Sequence, residues 1–104
     1  MKELKLLFTP MKIGTMELRN RIIMPAMGVS IGSPDGTINE RLFEYHVARA
    51  KGGAALNITE VTYVDPAGQG IPSAPAIWDD KFIPGLAELA KAIHAYGGKF
   101  AIQL

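Results

Sequence analysis

Cysteine is absent from the chain, which excludes a disulfide framework and any thiolate-held zinc or iron–sulfur cluster within this segment. No block of like charge occurs either. Eleven basic residues stand against ten acidic ones, a formal net charge of +1, and aromatics do not interleave with the lysines and arginines. Nucleic acid and anionic membrane surfaces are therefore not expected partners. Long hydrophobic runs are also missing. The opening "MKELKLLFTP" is interrupted by Lys5 and stopped by Pro10, too short for the apolar region of a signal peptide, and no run approaches the ~20 residues of a membrane span. No His, Asp or Glu falls at metal-ligand spacing, so no metal is expected. What remains is 104 residues, 48% hydrophobic and 20% charged. That is the composition of at most one ordinary soluble domain, with the cytoplasm as its expected location.

The first patterned stretch, "KIGTMEL", sets Ile13 and Leu18 on either side of Gly14-Thr15 and predicts a short hairpin rather than a helix. "RIIMPAM" follows, a short apolar run with β-branched Ile22 and Ile23, and predicts a buried strand over roughly 21–26. Pro34-Asp35-Gly36 is a turn signal. Thr37 followed by Glu40 has capping-box spacing, so a helix is expected from about Asn39. Its apolar stripe is Phe43, Val47 and Ala50, and Gly52-Gly53 ends it. "AALNITEVTYV" has the β-branched and aromatic enrichment of a second strand.

From Asp65 to about Asp79 runs a loop rich in Pro, Gly, Ser and Ala, long enough that a functional role is expected. Trp78 is its expected anchor. Leu86, Leu89, Ala90 and Ile93 then mark a second helix, tolerating Pro84 in its first turn and ending at Gly97-Gly98. "KFAIQL" is a third short strand. The order is ribbon, β, α, β, α, β, which implies right-handed βαβ units. A doubly wound sheet and a (β/α)8 barrel share this beginning, and both place their chemistry at the carboxyl ends of the strands.

Those ends hold few chemical signals of their own. "MPAMGVSIGS" after the first strand matches neither the dinucleotide-binding glycine fingerprint nor the P-loop. Gly68-Gln69-Gly70 after the second lacks the third glycine and reads as a flexible loop. Glu60, next to Val61 on the second strand, needs a partner if it lies inside a barrel. It either pairs with a cation from elsewhere in the protein or points to solvent. His46 and His94 fall on helices, where packing or surface roles are expected, and Met11, Met16, Met24 and Met27 read as core or wall.

Taken in order and spacing, "LFTPMKIGTMELRNRIIMPAMG", "DG", "ITEVTYVDPAG" and "IWDDKFIPGLAELAKAIHAYGGKFAIQL" resemble the amino-terminal part of the old yellow enzyme family, the NADH:flavin oxidoreductases. The similarity is greatest to the branch of 2,4-dienoyl-CoA and enoate reductases. The resemblance implies an FMN-binding (β/α)8 barrel with a ribbon closing the end away from the flavin. It further implies that Pro25, Ala26, Met27 and Gly28 lie beside the flavin ring, that Val61 packs against it, and that the Gln103 carboxamide meets the pyrimidine edge. Where some members carry a Cys or Thr that tunes the flavin, this chain has no polar side chain.

The implied activity passes hydride from NAD(P)H through FMN to an activated alkene, an α,β-unsaturated carbonyl or enoyl substrate. In the family a His-x-Gly-Arg motif follows "IQL", and the carbonyl-gripping histidines, the tyrosine acid and the phosphate site lie further on. The catalytic residues are therefore unknown from these residues. Residues 1–104 are expected to be an incomplete amino-terminal portion of the barrel, inactive alone and prone to self-association. The alternative is an inert packing module.

Overall fold

The computed structural model describes residues 3–104. Two short strands, β1 (Met11–Ile13) and β2 (Met16–Leu18), pair antiparallel with Met11 opposite Leu18. Gly14, at φ +57°, supplies the left-handed turn that joins them. Then come β3 (Ile23–Met24), α1 (Glu40–Lys51), β4 (Leu56–Val61), α2 (Ile83–Ala95) and β5 (Lys99–Gln103). β3, β4 and β5 form a parallel sheet with β4 in the centre.

β3 is much shorter than the 21–26 its apolar run predicts. Before it, the Ile22 N–H turns to the Asn20 side chain, 2.9 Å away, instead of a neighbouring strand. After it, Pro25 has no N–H to continue the ladder. β4 likewise stops at Val61. Tyr63 leaves the sheet to bridge Ala76, with its N–H on the Pro75 carbonyl and its own carbonyl accepting from Ile77 at 2.8 Å. The long loop is thus drawn back onto the strand it left. It carries a 3-10 turn at Pro66–Gly68, and a second such turn at Asp80–Phe82 leads into α2. Ala74, Pro75 and Ala76 are buried, and Trp78 packs edge-on against Phe82 at 4.9 Å between ring centres.

α1 begins as expected, but with a different cap. The Asn39 side chain accepts the Leu42 N–H at 2.9 Å and donates to the Ile31 carbonyl at 2.9 Å. Thr37 instead gives its hydroxyl and N–H to Asp35, which holds that carboxyl below the usual carboxylate range. Gly36 closes the turn at φ +85°, and a Cβ there would lie 2.4 Å from the Ala76 Cβ.

Three apolar clusters hold the layers together. Val47 and Ala50 of α1 meet Leu89 and Ile93 of α2, with Phe100 of β5 beneath. Tyr63, Ala74, Ala76, Phe82 and Leu86 seat the long loop on α2. Leu18 of β2 packs on Ala55 and Leu56, so the ribbon covers the amino ends of the strands. Arg19 reinforces that end. Its Nη2 donates to the carbonyls of Ala50 (2.7 Å) and Ala54 (3.0 Å), and its Nη1 to Tyr96, placing a cation at the carboxyl ends of both helices. Among the described residues no helix is long and apolar enough to cross a membrane.

Of the two histidines, His94 is exposed and His46 is buried. His46 faces the sheet: its carbonyl accepts from the Asn57 side chain of β4 at 2.8 Å, and its Nδ1 has no partner among the described residues. Burial, helped by the Arg49 charge, lowers its pKa from 6.5 to about 4. Between those values the unfolded chain binds a proton that the folded chain excludes. This contribution to stability is therefore complete above pH 6.5 and falls by roughly 1.4 kcal/mol per pH unit as pH drops toward 4. Urea unfolding at pH 7, 6 and 5 should show this loss, and His46→Gln should flatten that part of the slope. An identical slope in the variant would remove His46 as its source.

Candidate active site

In a parallel sheet all strands end on the same side, so residues far apart in sequence converge there without touching in the chain. Pro25, Ala26, Met27 and Gly28 follow directly on β3. Val61 closes β4, and Gln103, its register partner, closes β5. The three segments lie on adjacent strands at the end opposite the ribbon and Arg19. Pro25, Gly28 and Gln103 are exposed, while Ala26 and Val61 are partly buried. Met27 is exposed as well, and so belongs to this open face rather than to the core.

Beneath the face, buried polar side chains replace ladder geometry. The carboxyl group of Glu60 is enclosed rather than solvated, with the residue 2% exposed. Its Oε2 accepts the Val29 N–H at 2.9 Å, clasping the segment after β3 to β4. Its Oε1 is buried with no partner among the described residues. The solvent-facing alternative for Glu60 is thereby ruled out: the backbone turn after Pro25 brings an otherwise free N–H to the carboxyl.

Between β4 and β5 the register changes. Ile58 pairs with Ala101 but Val61 with Gln103, so β4 holds one extra residue, the mark of a bulge. There the Gln103 N–H goes to the Thr59 hydroxyl (3.2 Å) and the Gln103 carbonyl accepts from the Thr62 N–H (2.8 Å). The Thr59 and Thr62 hydroxyls lie 3.2 Å apart, and Thr62 donates its own to the Glu60 carbonyl at 3.0 Å.

The long loop also reaches this face. The Ile71 N–H donates to the Tyr63 hydroxyl at 2.9 Å, and a Cβ added to Gly28 would stand 3.2 Å from the Ile71 Cδ1. Gly28 therefore sits where two loops meet. Sequence reasoning missed Thr59 and Thr62, because threonine inside a β-branched run reads as strand propensity. The available signal was a cluster of polar residues, "TEVT", within a strand expected to be buried. No group of three or more His, Cys, Asp or Glu able to hold a metal ion occurs among the described residues.

The signature of the NADH:flavin oxidoreductase / NADH oxidase family matches residues 6–104. The NADH oxidase of Thermoanaerobacter brockii is 42% identical over 99 residues, 94% of this chain but 15% of the relative's length. Among solved structures, the old yellow enzyme of Pichia sp. AKU4542 superposes with a TM-score of 0.87 at 27% identity, covering 95% of this chain and 26% of that one. A complex of 2-naphthoyl-CoA reductase with 2-naphthoyl-CoA superposes at 0.91 with 30% identity, covering 96% and 15%.

The Glu60 clasp has a direct consequence. Glu60→Ala leaves the Val29 N–H without its acceptor and should cost about 1–3 kcal/mol of stability, with amide exchange accelerated most at Val29. Glu60→Gln keeps an acceptor and should retain most of the protection at that amide. Unchanged exchange at Val29 in the alanine variant would show that something else holds the segment.

Proposed function

The chain belongs to the NADH:flavin oxidoreductase / NADH oxidase family, and from that premise we propose that residues 1–104 form the amino-terminal portion of an FMN-dependent NAD(P)H oxidoreductase. The observation that carries the proposal is the convergence of Pro25–Gly28, Val61 and Gln103 at the carboxyl ends of three adjacent parallel strands, where α/β barrels place their chemistry. A complete barrel takes ~250 residues, and the matched relative is several times longer than this chain. Both facts support an incomplete domain whose catalytic acid and substrate-gripping residues lie elsewhere in the protein.

The residues present fit a planar, polar-edged ring. Gly28 offers backbone without a side chain, and Val61 offers an apolar surface. The exposed Gln103 carboxamide presents a donor and an acceptor side by side, suited to the O2 and N3–H edge of the flavin pyrimidine. Main-chain groups of Pro25–Gly28 would hydrogen-bond near N5 and O4, which stabilises charge on the reduced ring. An FMN held by these residues would supply two-electron hydride chemistry between NAD(P)H and an α,β-unsaturated carbonyl or enoyl substrate. The 2-naphthoyl-CoA complex supports an acyl thioester or carbonyl-conjugated substrate class.

In the complete protein, Gln103→Ala should weaken FMN binding by roughly 1–3 kcal/mol, because a polar flavin edge loses its partner. Titration of apoprotein with FMN, followed by flavin fluorescence, measures this, and an unchanged dissociation constant would remove the assignment of Gln103.

For the isolated polypeptide, a second reading has its own support. β3 and β5 are each paired on one side only among the described residues, and Leu4, Leu6, Phe8 and Leu104 are 61–74% exposed. Open edges and apolar surface favour pairing between chains. The 104 residues alone should therefore elute as a colourless oligomer in size-exclusion chromatography with light scattering. A yellow monomer with one flavin per chain would contradict both the self-association and the view that the phosphate grip lies outside them.

A further inference from the structure

The four polar groups at the β4 bulge form one directed chain of hydrogen bonds, and its direction follows from counting protons. A hydroxyl has a single proton. Thr62 gives its proton to the Glu60 carbonyl, so in the Thr59–Thr62 contact Thr62 must accept and Thr59 donate. Thr59 in turn accepts from the Gln103 N–H. Every proton is then assigned, from Gln103 N–H to Thr59 to Thr62 to the carbonyl of Glu60, and the Thr62 N–H returns to the Gln103 carbonyl. The Gln103 N–H is thus held by the Thr59 hydroxyl and the Gln103 carbonyl by the Thr62 main-chain N–H, and the two threonines are 1% and 2% exposed. Glu60, at the end of this chain, also clasps Val29 through Oε2.

Valine would fill the space of either threonine and has equal strand preference. Buried hydroxyls carry a desolvation cost unless every bond is made, so shape alone does not account for them here. The bulge supplies the reason: it removes the regular ladder acceptor at the residue whose side chain must face outward.

We propose that Thr59 and Thr62 are positioning residues that hold the backbone of Gln103 so that its carboxamide meets the flavin, with Glu60 joining this hold to the Pro25–Gly28 segment. The proposal rests on the FMN-site reading above. The two hydroxyls touch no cofactor themselves. They act through Gln103, which makes their contribution conditional on the Gln103 side chain.

That condition is testable in the complete flavoprotein by a double-mutant cycle. Thr59→Val should raise the FMN dissociation constant about fivefold or more, shift the visible spectrum of the bound flavin and accelerate amide exchange at Gln103. In a Gln103→Ala background the same change should alter FMN affinity by less than about twofold. Thr59→Ser, which keeps the hydroxyl, should stay near the parent in all three readouts. Should Thr59→Val fail to fold, Thr59→Ala removes the same hydroxyl from the Gln103 N–H and takes its place in the cycle. Equal weakening in both backgrounds would overturn the positioning role while leaving the flavin site intact, and so would a serine variant as weak as the valine. No effect of Gln103→Ala by itself would instead remove the Gln103 contact with the flavin, and the proposal with it.

Discussion

Parallel strands cannot be joined by tight turns, and from that constraint the arrangement of this chain follows. Each connection must cross back over the sheet, so α1 and α2 both finish at the amino ends of the strands and expose their last carbonyls there. Arg19 meets that requirement with one side chain, bridging the carbonyls of Ala50 in the last turn of α1, of Ala54 just beyond it and of Tyr96 after α2. The fixed fork of a guanidinium suits several carbonyls at once, where a lysine would offer a single point charge. The ribbon that carries Arg19 seals the same end through Leu18. Structural closure is thus concentrated at one end of the sheet, and the other end is left to short, glycine- and proline-bearing segments.

Buried polar groups divide along the same axis. Asn57 and His46 tie α1 to the sheet through a single hydrogen bond, an anchorage between layers. Glu60, Thr59 and Thr62 are just as buried, but their bonds run to Val29 and Gln103, the backbone of the candidate site. A low-dielectric setting strengthens such bonds and makes each unmade one costly, which favours a single arrangement of the segments above. Glu60 Oε1 is buried with no partner among the described residues.

The family signature spans nearly the whole chain, while the chain spans only 15–26% of the matched proteins cited. Pro25–Gly28, Val61 and Gln103 supply backbone groups, an apolar surface and one carboxamide, but no acid, base or charged anchor of their own.

Composition, periodicity and turn chemistry determined the class of fold in advance. Alternation of short β-branched runs with helical stripes, stopped by Gly52-Gly53 and Gly97-Gly98, dictates crossover units, and Asn39, Gly14 and Gly36 act locally as their residue types require. Gln103 and Gly28 stood out only through likeness to a known family, since a strand-end glutamine or glycine has no signature by itself. Tertiary structure alone decided the return of the long loop onto Tyr63, the enclosure of Glu60 and the proton order through Thr59 and Thr62. Each of these depends on which N–H or carbonyl arrives from a distant part of the chain: Val29 lies 31 residues from Glu60, and Gln103 lies 44 from Thr59. Local preference constrains a residue's own backbone, but a buried carboxyl or hydroxyl takes its role from the partner that folding brings to it.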